Sequence, residues 1–161
     1  MNLNRQQLLA AWPVCLIGTL LCLSCGCSTF NRAWHEAGCQ PASTNSIEGR
    51  WEGRWISEVN GHNGKLRCLL SRYPNGDYAA RFRATYLKVL RFSYTVTLKV
   101  DQRDDGWNFH GEENLGKLAG GIYRYSGQAT QTNFHSTYDS KYDRGTFEMH
   151  RVDGKPKTIQ Q

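Results

Sequence analysis

The chain has 161 residues, with 20 Lys and Arg against 14 Asp and Glu, and a formal net charge of +6. About 135 residues remain after the N-terminal segment described below, which is one domain's worth and enough for one sizeable core. The 16 glycines and 12% aromatic residues, together with the scarcity of helical Ala, Leu and Glu runs, favour a β protein.

The first 26 residues have the organisation of an export signal. Arg5 and the free amino terminus are basic, and residues 8–23 form an uncharged apolar run. A secretory signal combines such a start with an apolar segment and a cleavage site at small residues. Because the run contains Pro13 and is shorter than the roughly 20 apolar residues of a spanning helix, we predict a signal peptide over residues 1–26. A permanent single membrane span is the alternative.

The end of the apolar run, Leu23-Ser24-Cys25-Gly26-Cys27, resembles the lipobox of bacterial lipoproteins. In that family a small residue precedes a cysteine that is diacylated and becomes the new N-terminus. The resemblance implies lipidation of Cys27, with Cys25 as a second candidate, and two acyl chains give a stable anchor. It also implies a protein anchored to a membrane of the cell envelope and facing the periplasm or the exterior. Without lipidation, the prediction becomes a secreted protein.

Residues 27–46 are predicted to form a flexible tether between the anchor and a folded domain. Gly38, Pro41 and a cluster of Ser, Thr and Asn residues disfavour regular structure there. A short helix over residues 29–36 is compatible with this sequence. At the other end of the chain, residues 153–161 are predicted to be a disordered tail.

From Ile47 onward, apolar residues alternate with polar ones in the period of a β-strand. Turn signals such as Asn75-Gly76 and Asp105-Gly106 separate the alternating runs. The eight runs are residues 47–55, 66–70, 78–86, 92–100, 107–109, 122–125, 134–138 and 145–151. Short consecutive connections without helices predict an all-β domain over residues 47–152, an eight-stranded antiparallel up-and-down barrel.

The first run contains Gly49-Arg50-Trp51 and Gly53-Arg54-Trp55, which resemble the Gly-x-Trp opening of lipocalins and related calycin barrels. In those barrels a Trp near the start packs against a basic residue near the end of the last strand. The resemblance therefore implies that Arg151 contacts such a Trp. The two glycines would also leave room for strands to coil tightly at a barrel corner.

Aromatic residues dominate the face of the strands that is predicted to point inward. Two interpretations remain open: the rings fill a solid core, or they line a pocket for a small apolar or amphipathic ligand. The predicted ligand-lining residues are Trp51, Trp55, Tyr78, Phe82, Tyr86, Tyr94, Phe109, Tyr123, Tyr125 and Tyr138. The remaining inward rings are Phe92, Phe134 and Phe147.

The outward face of the first four strands is predicted to be basic. An anchored protein could use it to bind an anionic envelope component or an enzyme that it inhibits. Alternatively, the face is simply solvated, with Glu48 and Glu52 paired to arginines across strands. The predicted location in the cell envelope argues against a nucleic-acid partner. We also expect the protein to be a monomer. The basic residues are Arg50, Arg54, Lys65, Arg67, Arg81, Arg83 and Arg91.

Cys39 and Cys68 are the only cysteines after Cys27. In an exported protein, two cysteines predict a disulfide, which here would join the tether to the domain. The alternative is that Cys68 is a buried apolar residue on a strand.

We find no arrangement of residues that predicts catalysis, a metal site or a cofactor. His110, His135 and His150 share the outward parity of their strands, and no histidine pair has zinc-site spacing. No nucleophile elbow, phosphate-binding loop or zinc-protease motif occurs in the sequence. We therefore expect a membrane-anchored protein that is not an enzyme. It would bind a small ligand inside a barrel or, alternatively, act without a ligand through its basic face.

Overall fold

A computed structural model describes residues 25–41, 45–87, 89–117 and 120–152. The chain divides into two compact units, residues 1–33 and residues 34–161. Most of the predicted signal peptide and the whole predicted tail, residues 153–161, lie outside the described residues.

One helix, α1, covers Cys25–Gly38. It includes the short helix that the sequence allowed over residues 29–36 and extends it in both directions. Its C-terminal end belongs to the second unit, where the Cys39 amide donates to the Glu36 carbonyl at 3.1 Å in a closing turn. The segment predicted to be a tether therefore contains regular structure over much of its length.

The second unit contains eight strands that close into one antiparallel barrel, as predicted. Each strand pairs with its neighbours in sequence, and the first pairs with the last from Trp51 opposite Arg151 to Ser57 opposite Gly145. Closure leaves no edge strand for pairing with another chain. The strands are β1 Gly49–Ser57, β2 Asn63–Arg72, β3 Tyr78–Tyr86, β4 Leu90–Arg103, β5 Gly106–Asn114, β6 Ile122–Ala129, β7 Asn133–Asp139 and β8 Arg144–Arg151.

The up-and-down order gives the barrel two different ends. The β1–β2, β3–β4, β5–β6 and β7–β8 connections share one end, which we call the open end. The β2–β3, β4–β5 and β6–β7 connections share the other, the closed end, together with the start of β1 and the finish of β8. At the closed end, Gly76 has a φ of 95° in the turn that Asn75-Gly76 predicted.

The closed end is plugged by the residues that precede β1. Ile47, predicted to begin a strand, instead lies before β1 and packs in the barrel core with no exposed surface. Trp51 is also fully buried, and its Nε1 donates to the Ile47 carbonyl at 2.9 Å. Arg151 covers the Trp51 ring at 4.8 Å, which is the contact that the calycin resemblance implied.

Glycine allows the close approach of β1 to β8. A Cβ atom at Gly53 would overlap the carbonyl oxygen of Glu148 on β8, so any larger residue would push the strands apart. Gly49, expected to serve the same purpose, is instead required by its backbone, since its φ of 117° disfavours other residues.

Candidate functional site

The inward side chains are buried to different degrees at the two ends of the barrel. In the closed half the rings pack tightly, and Phe109 stacks on Phe134 with centroids 4.4 Å apart. In the open half, inward side chains remain partly exposed, which marks the accessible mouth of the barrel. The partly exposed inward residues at this end are Trp55, Ala84, Tyr86, Tyr94, Tyr123 and the acidic Glu113, which lies opposite Tyr123.

The predicted ligand-lining residues divide between these halves. Trp51, Tyr78 and Phe109 lie in the closed half, where they belong to the packed core. The other seven lie in the middle and at the mouth. Three of them, Phe82, Tyr125 and Tyr138, are buried in the same core, and the partly exposed ones are Trp55, Tyr86, Tyr94 and Tyr123. Phe92 was expected to point into the barrel with them, but it is 54% exposed because it lies at the open rim.

Tyrosine hydroxyl groups form the polar part of the open half. The Tyr94 and Tyr125 rings stack with centroids 6.5 Å apart. Tyr138 donates to Asp143 Oδ2 at 3.1 Å, and Ser57 donates to Asp143 Oδ1 at 2.6 Å. Asp143 thereby ties the β7–β8 connection to the finish of β1. Hydroxyl groups are present at the closed end as well, where the Tyr78 hydroxyl lies 3.4 Å from that of Ser46.

Burial holds these tyrosines in their neutral form. Desolvation raises the pKa of Tyr94, Tyr125 and Tyr138, and in Tyr138 the adjacent Asp143 carboxylate raises it further. The neighbouring Tyr94 side chain partly opposes this rise in the pKa of Tyr125. Neutral phenols both donate and accept hydrogen bonds, so the open half can bind an uncharged polar group beside apolar ring surface.

The sequence did not predict that His62 belongs to the mouth. His62 Nδ1 lies 2.9 Å from the Tyr86 hydroxyl, and Tyr86 stacks on Trp55 with centroids 6.0 Å apart. The Trp55 Nε1 donates to the Thr85 carbonyl at 3.1 Å. His62 precedes β2 in a polar stretch without periodicity, so no local pattern pointed to this contact; the pairing of β1, β2 and β3 creates it.

The expected disulfide is absent. Cys39 and Cys68 are both free, and Cys39 is exposed after α1 whereas Cys68 is fully buried. Cys68 points into the barrel on the same face of β2 as Leu66 and Leu70, where burial raises the pKa of its thiol. A side chain directed into the barrel interior cannot reach an exposed partner outside it, so the alternative of a buried apolar residue is the correct one.

The predicted basic face is only partly exposed. Arg83 is buried, although its strand parity is outward. Arg50 and Arg67 both stack on the Trp34 ring of α1, at 5.5 and 5.1 Å. Arg67 also donates to Glu52 Oε2 at 2.9 Å, as predicted. These cations are therefore engaged within the protein.

One further ion pair lies on this face. Arg54 donates to Glu148 Oε2 at 2.8 Å. Glu48, expected to pair with an arginine side chain, instead accepts from the Arg72 amide and from the Ser46 hydroxyl. Lys65 and Arg91 are exposed.

His110, His135 and His150 are exposed on the outer surface, as their parity predicted. Within the described parts of the chain, no three His, Cys, Asp or Glu side chains group closely enough to hold a metal ion. The same residues include no helix with the length and apolar character to cross a membrane.

Comparison of the chain with models of known protein families, with curated proteins and with solved structures found no match.

Proposed function

We propose that the protein is a membrane-anchored, lipocalin-like binding protein that holds a small apolar or amphipathic molecule in the open half of its barrel. The single observation that supports this most strongly is the difference between the barrel ends. Ile47 and Trp51 are fully buried at one end, whereas inward rings at the other end remain partly exposed. A solid barrel that served only as a scaffold would gain stability from burying those rings as well.

The chemistry of the open half suggests the ligand class. Trp55 and Tyr86, whose rings stack with centroids 6.0 Å apart and remain partly exposed, offer apolar surface at the mouth. Tyr94 and Tyr123 also remain partly exposed there and offer hydroxyl groups, whereas Tyr125 and Tyr138 are buried in the core. Pockets of this kind, mostly apolar with a few polar groups, bind amphipathic molecules. The apolar portion of the ligand would enter first, and its polar group would remain near the tyrosines.

A substitution that fills the mouth tests ligand binding. Ala84 points inward on β3, opposite Phe92 on β4, and has no bulky side chain of its own. Ala84→Trp would occupy the open half, and Ser93→Trp adds the same ring at an exposed outward position of β4. Native mass spectrometry of the full chain, incubated with palmitic acid as the probe, then reports any bound molecule.

We expect a palmitic acid adduct on the wild-type chain and on Ser93→Trp, and at least about tenfold less on Ala84→Trp, since the added ring occupies the same volume. Circular dichroism checks that both variants fold. No adduct on the wild-type chain, or equal adducts on both variants, would contradict the proposal.

Membrane attachment is part of the proposed function and has its own test. We infer lipidation at Cys27 from the lipobox-like sequence. Cys27→Ser should move the protein from the membrane fraction to the soluble fraction, while Cys39→Ser should not. If Cys27→Ser remains in the membrane fraction, the anchoring mechanism is wrong, although the barrel could still bind a ligand.

A further inference from the structure

Exposed apolar side chains are concentrated at the open end of the barrel. Among the described residues, eight large hydrophobic side chains are exposed, and only Tyr73 lies at the closed end. The other seven lie on the open-end connections or on the first residues of the strands that follow: Val59, Leu87, Val89, Leu90, Phe92, Ile122 and Tyr142. Single exposed apolar residues are ordinary, but a cluster on one end usually marks an interaction surface.

The β3–β4 connection presents the largest part of this apolar rim. Leu87 and Val89 are 63% and 75% exposed, and Leu90 follows at the start of β4. Leu87 also has a positive φ of 48°, which is unfavourable for a leucine. The turn therefore combines an unfavourable backbone conformation with exposed apolar side chains, a combination that stability alone does not explain.

Basic side chains accompany the apolar rim. Arg91 lies between Leu90 and Phe92 and is exposed. A shallow cleft beside the β5–β6 and β7–β8 connections is lined by Lys117, Ile122, Arg124, Asp139, Lys141 and Tyr142, among others. The Lys141 ammonium lies over the Tyr142 ring at 5.1 Å.

The acidic groups at this end are largely engaged. Glu58 pairs with Arg144, and Glu112 pairs with Arg124. Asp143 accepts hydrogen bonds from Ser57 and Tyr138. The remaining exposed or partly exposed charges at the rim are mostly positive: Lys65, Arg91, Lys117 and Lys141 are accompanied by Glu113 and Asp139. Exposed apolar side chains surrounded by cations are complementary to a bilayer with anionic headgroups. The apolar side chains can enter the region between headgroups and acyl chains, while the cations bind headgroup phosphates.

We propose that the open end of the barrel docks on the surface of an anionic lipid bilayer. The apolar rim inserts shallowly, and Arg91, Lys117 and Lys141 contact the headgroups. This orientation turns the barrel mouth toward the lipid. The docking does not require a ligand in the barrel and can hold even if the proposed binding function fails.

Hydroxyl-radical footprinting of the full chain on vesicles tests the docking. The comparison uses vesicles of phosphatidylcholine mixed with phosphatidylglycerol and vesicles of phosphatidylcholine alone. On the anionic vesicles, we expect lower modification of Val89 and Tyr142, with Tyr73 at the closed end unchanged as an internal control. Lys117→Ala and Lys141→Ala should each weaken the protection about fivefold.

A double variant separates docking from anchoring. Leu87→Asp with Val89→Asp should abolish protection of Tyr142, whereas Tyr73→Asp should not. Aspartate tolerates the positive φ at position 87, so the turn can be retained. Ala84→Trp, which is designed to block ligand binding in the barrel, should leave the protection of Val89 and Tyr142 on anionic vesicles unchanged. This result would distinguish membrane docking from ligand binding.

Three results would overturn the docking proposal. The first is that anionic vesicles change the modification of residues at the open and closed ends equally. The second is that the protection of Tyr142 persists in the double aspartate variant. The third is that residues at the open end become protected without vesicles and more so at higher protein concentration. This result would show that the open end binds a second copy of the chain.

Discussion

Arg151 at the finish of β8 covers the ring of Trp51 on β1 and at the same time binds the residues that plug the closed end. Its guanidinium donates to the Ser46 carbonyl at 2.6 Å and to the Glu48 carbonyl at 3.0 Å. One side chain thus joins the last strand, the first strand and the plug. The closed end is held by this contact rather than by apolar packing alone.

Arg151→Ala should lower the free energy of unfolding by about 3 kcal/mol, because it removes two charge-assisted hydrogen bonds and the cation–π contact. Arg151→Lys is the matched control, since it keeps the charge but loses the planar fork that reaches both carbonyls. We expect lysine to recover less than half of the loss. Urea unfolding followed by tryptophan fluorescence measures both, and equal stability of all three proteins would contradict the role assigned to Arg151.

Gly53→Ala should destabilise the barrel by about 3 kcal/mol or more, because the added methyl group overlaps the backbone of β8. Gly61→Ala is a suitable comparison, since nothing lies within 4 Å of a Cβ there and only the positive φ of 70° is unfavourable. Its expected cost is about 1 kcal/mol. Thermal and urea unfolding of both variants measure the difference, and a larger loss in Gly61→Ala would show that strand approach is not the controlling factor.

The two cysteines beyond the N-terminal segment should differ strongly in reactivity. In the folded protein, iodoacetamide should modify Cys39 readily. Cys68 should react at least about 1,000-fold more slowly, since its thiol is buried and becomes accessible only on unfolding. Peptide mapping after alkylation, with and without urea, measures this ratio. A Cys39–Cys68 disulfide in the unreduced digest would contradict the structure.

Alkaline pH should destabilise the protein through its buried tyrosines. The folded state raises the pKa of Tyr94, Tyr125 and Tyr138, so their contribution to stability is complete below the unfolded tyrosine pKa of about 10 and is lost as the pH rises through the higher folded values. Tyr125→Phe should make the decline in unfolding free energy above about pH 10 less steep.

The control for this pH profile is Phe147→Leu, which removes a ring 6.0 Å from Tyr125 and no ionisable group. It should lower stability by a similar amount at every pH. Urea unfolding at a series of pH values measures both profiles. If Tyr125→Phe shows the same slope as the wild-type chain, burial of Tyr125 does not control the alkaline loss.

The alternation of apolar and polar residues by itself determined the strand number, the turn positions and the face of each strand. Asn75-Gly76 specifies its own turn through a positive φ, and strand parity is a local property of the backbone. For the same reason, the exposed positions of His110, His135 and His150 followed from parity alone.

Only the tertiary structure decided which inward residues are accessible and which outward residues are covered. Phe92 has inward parity but is exposed, and Arg83 has outward parity but is buried. The alternation along a strand determines whether a side chain points into or out of the barrel. How deeply that side chain is buried depends on the register between strands and on the segments that cover them. Pairing of distant strands likewise brought His62 to Tyr86 and gathered the apolar rim at one end. These are long-range consequences of barrel closure, and no local stretch of the chain contains them.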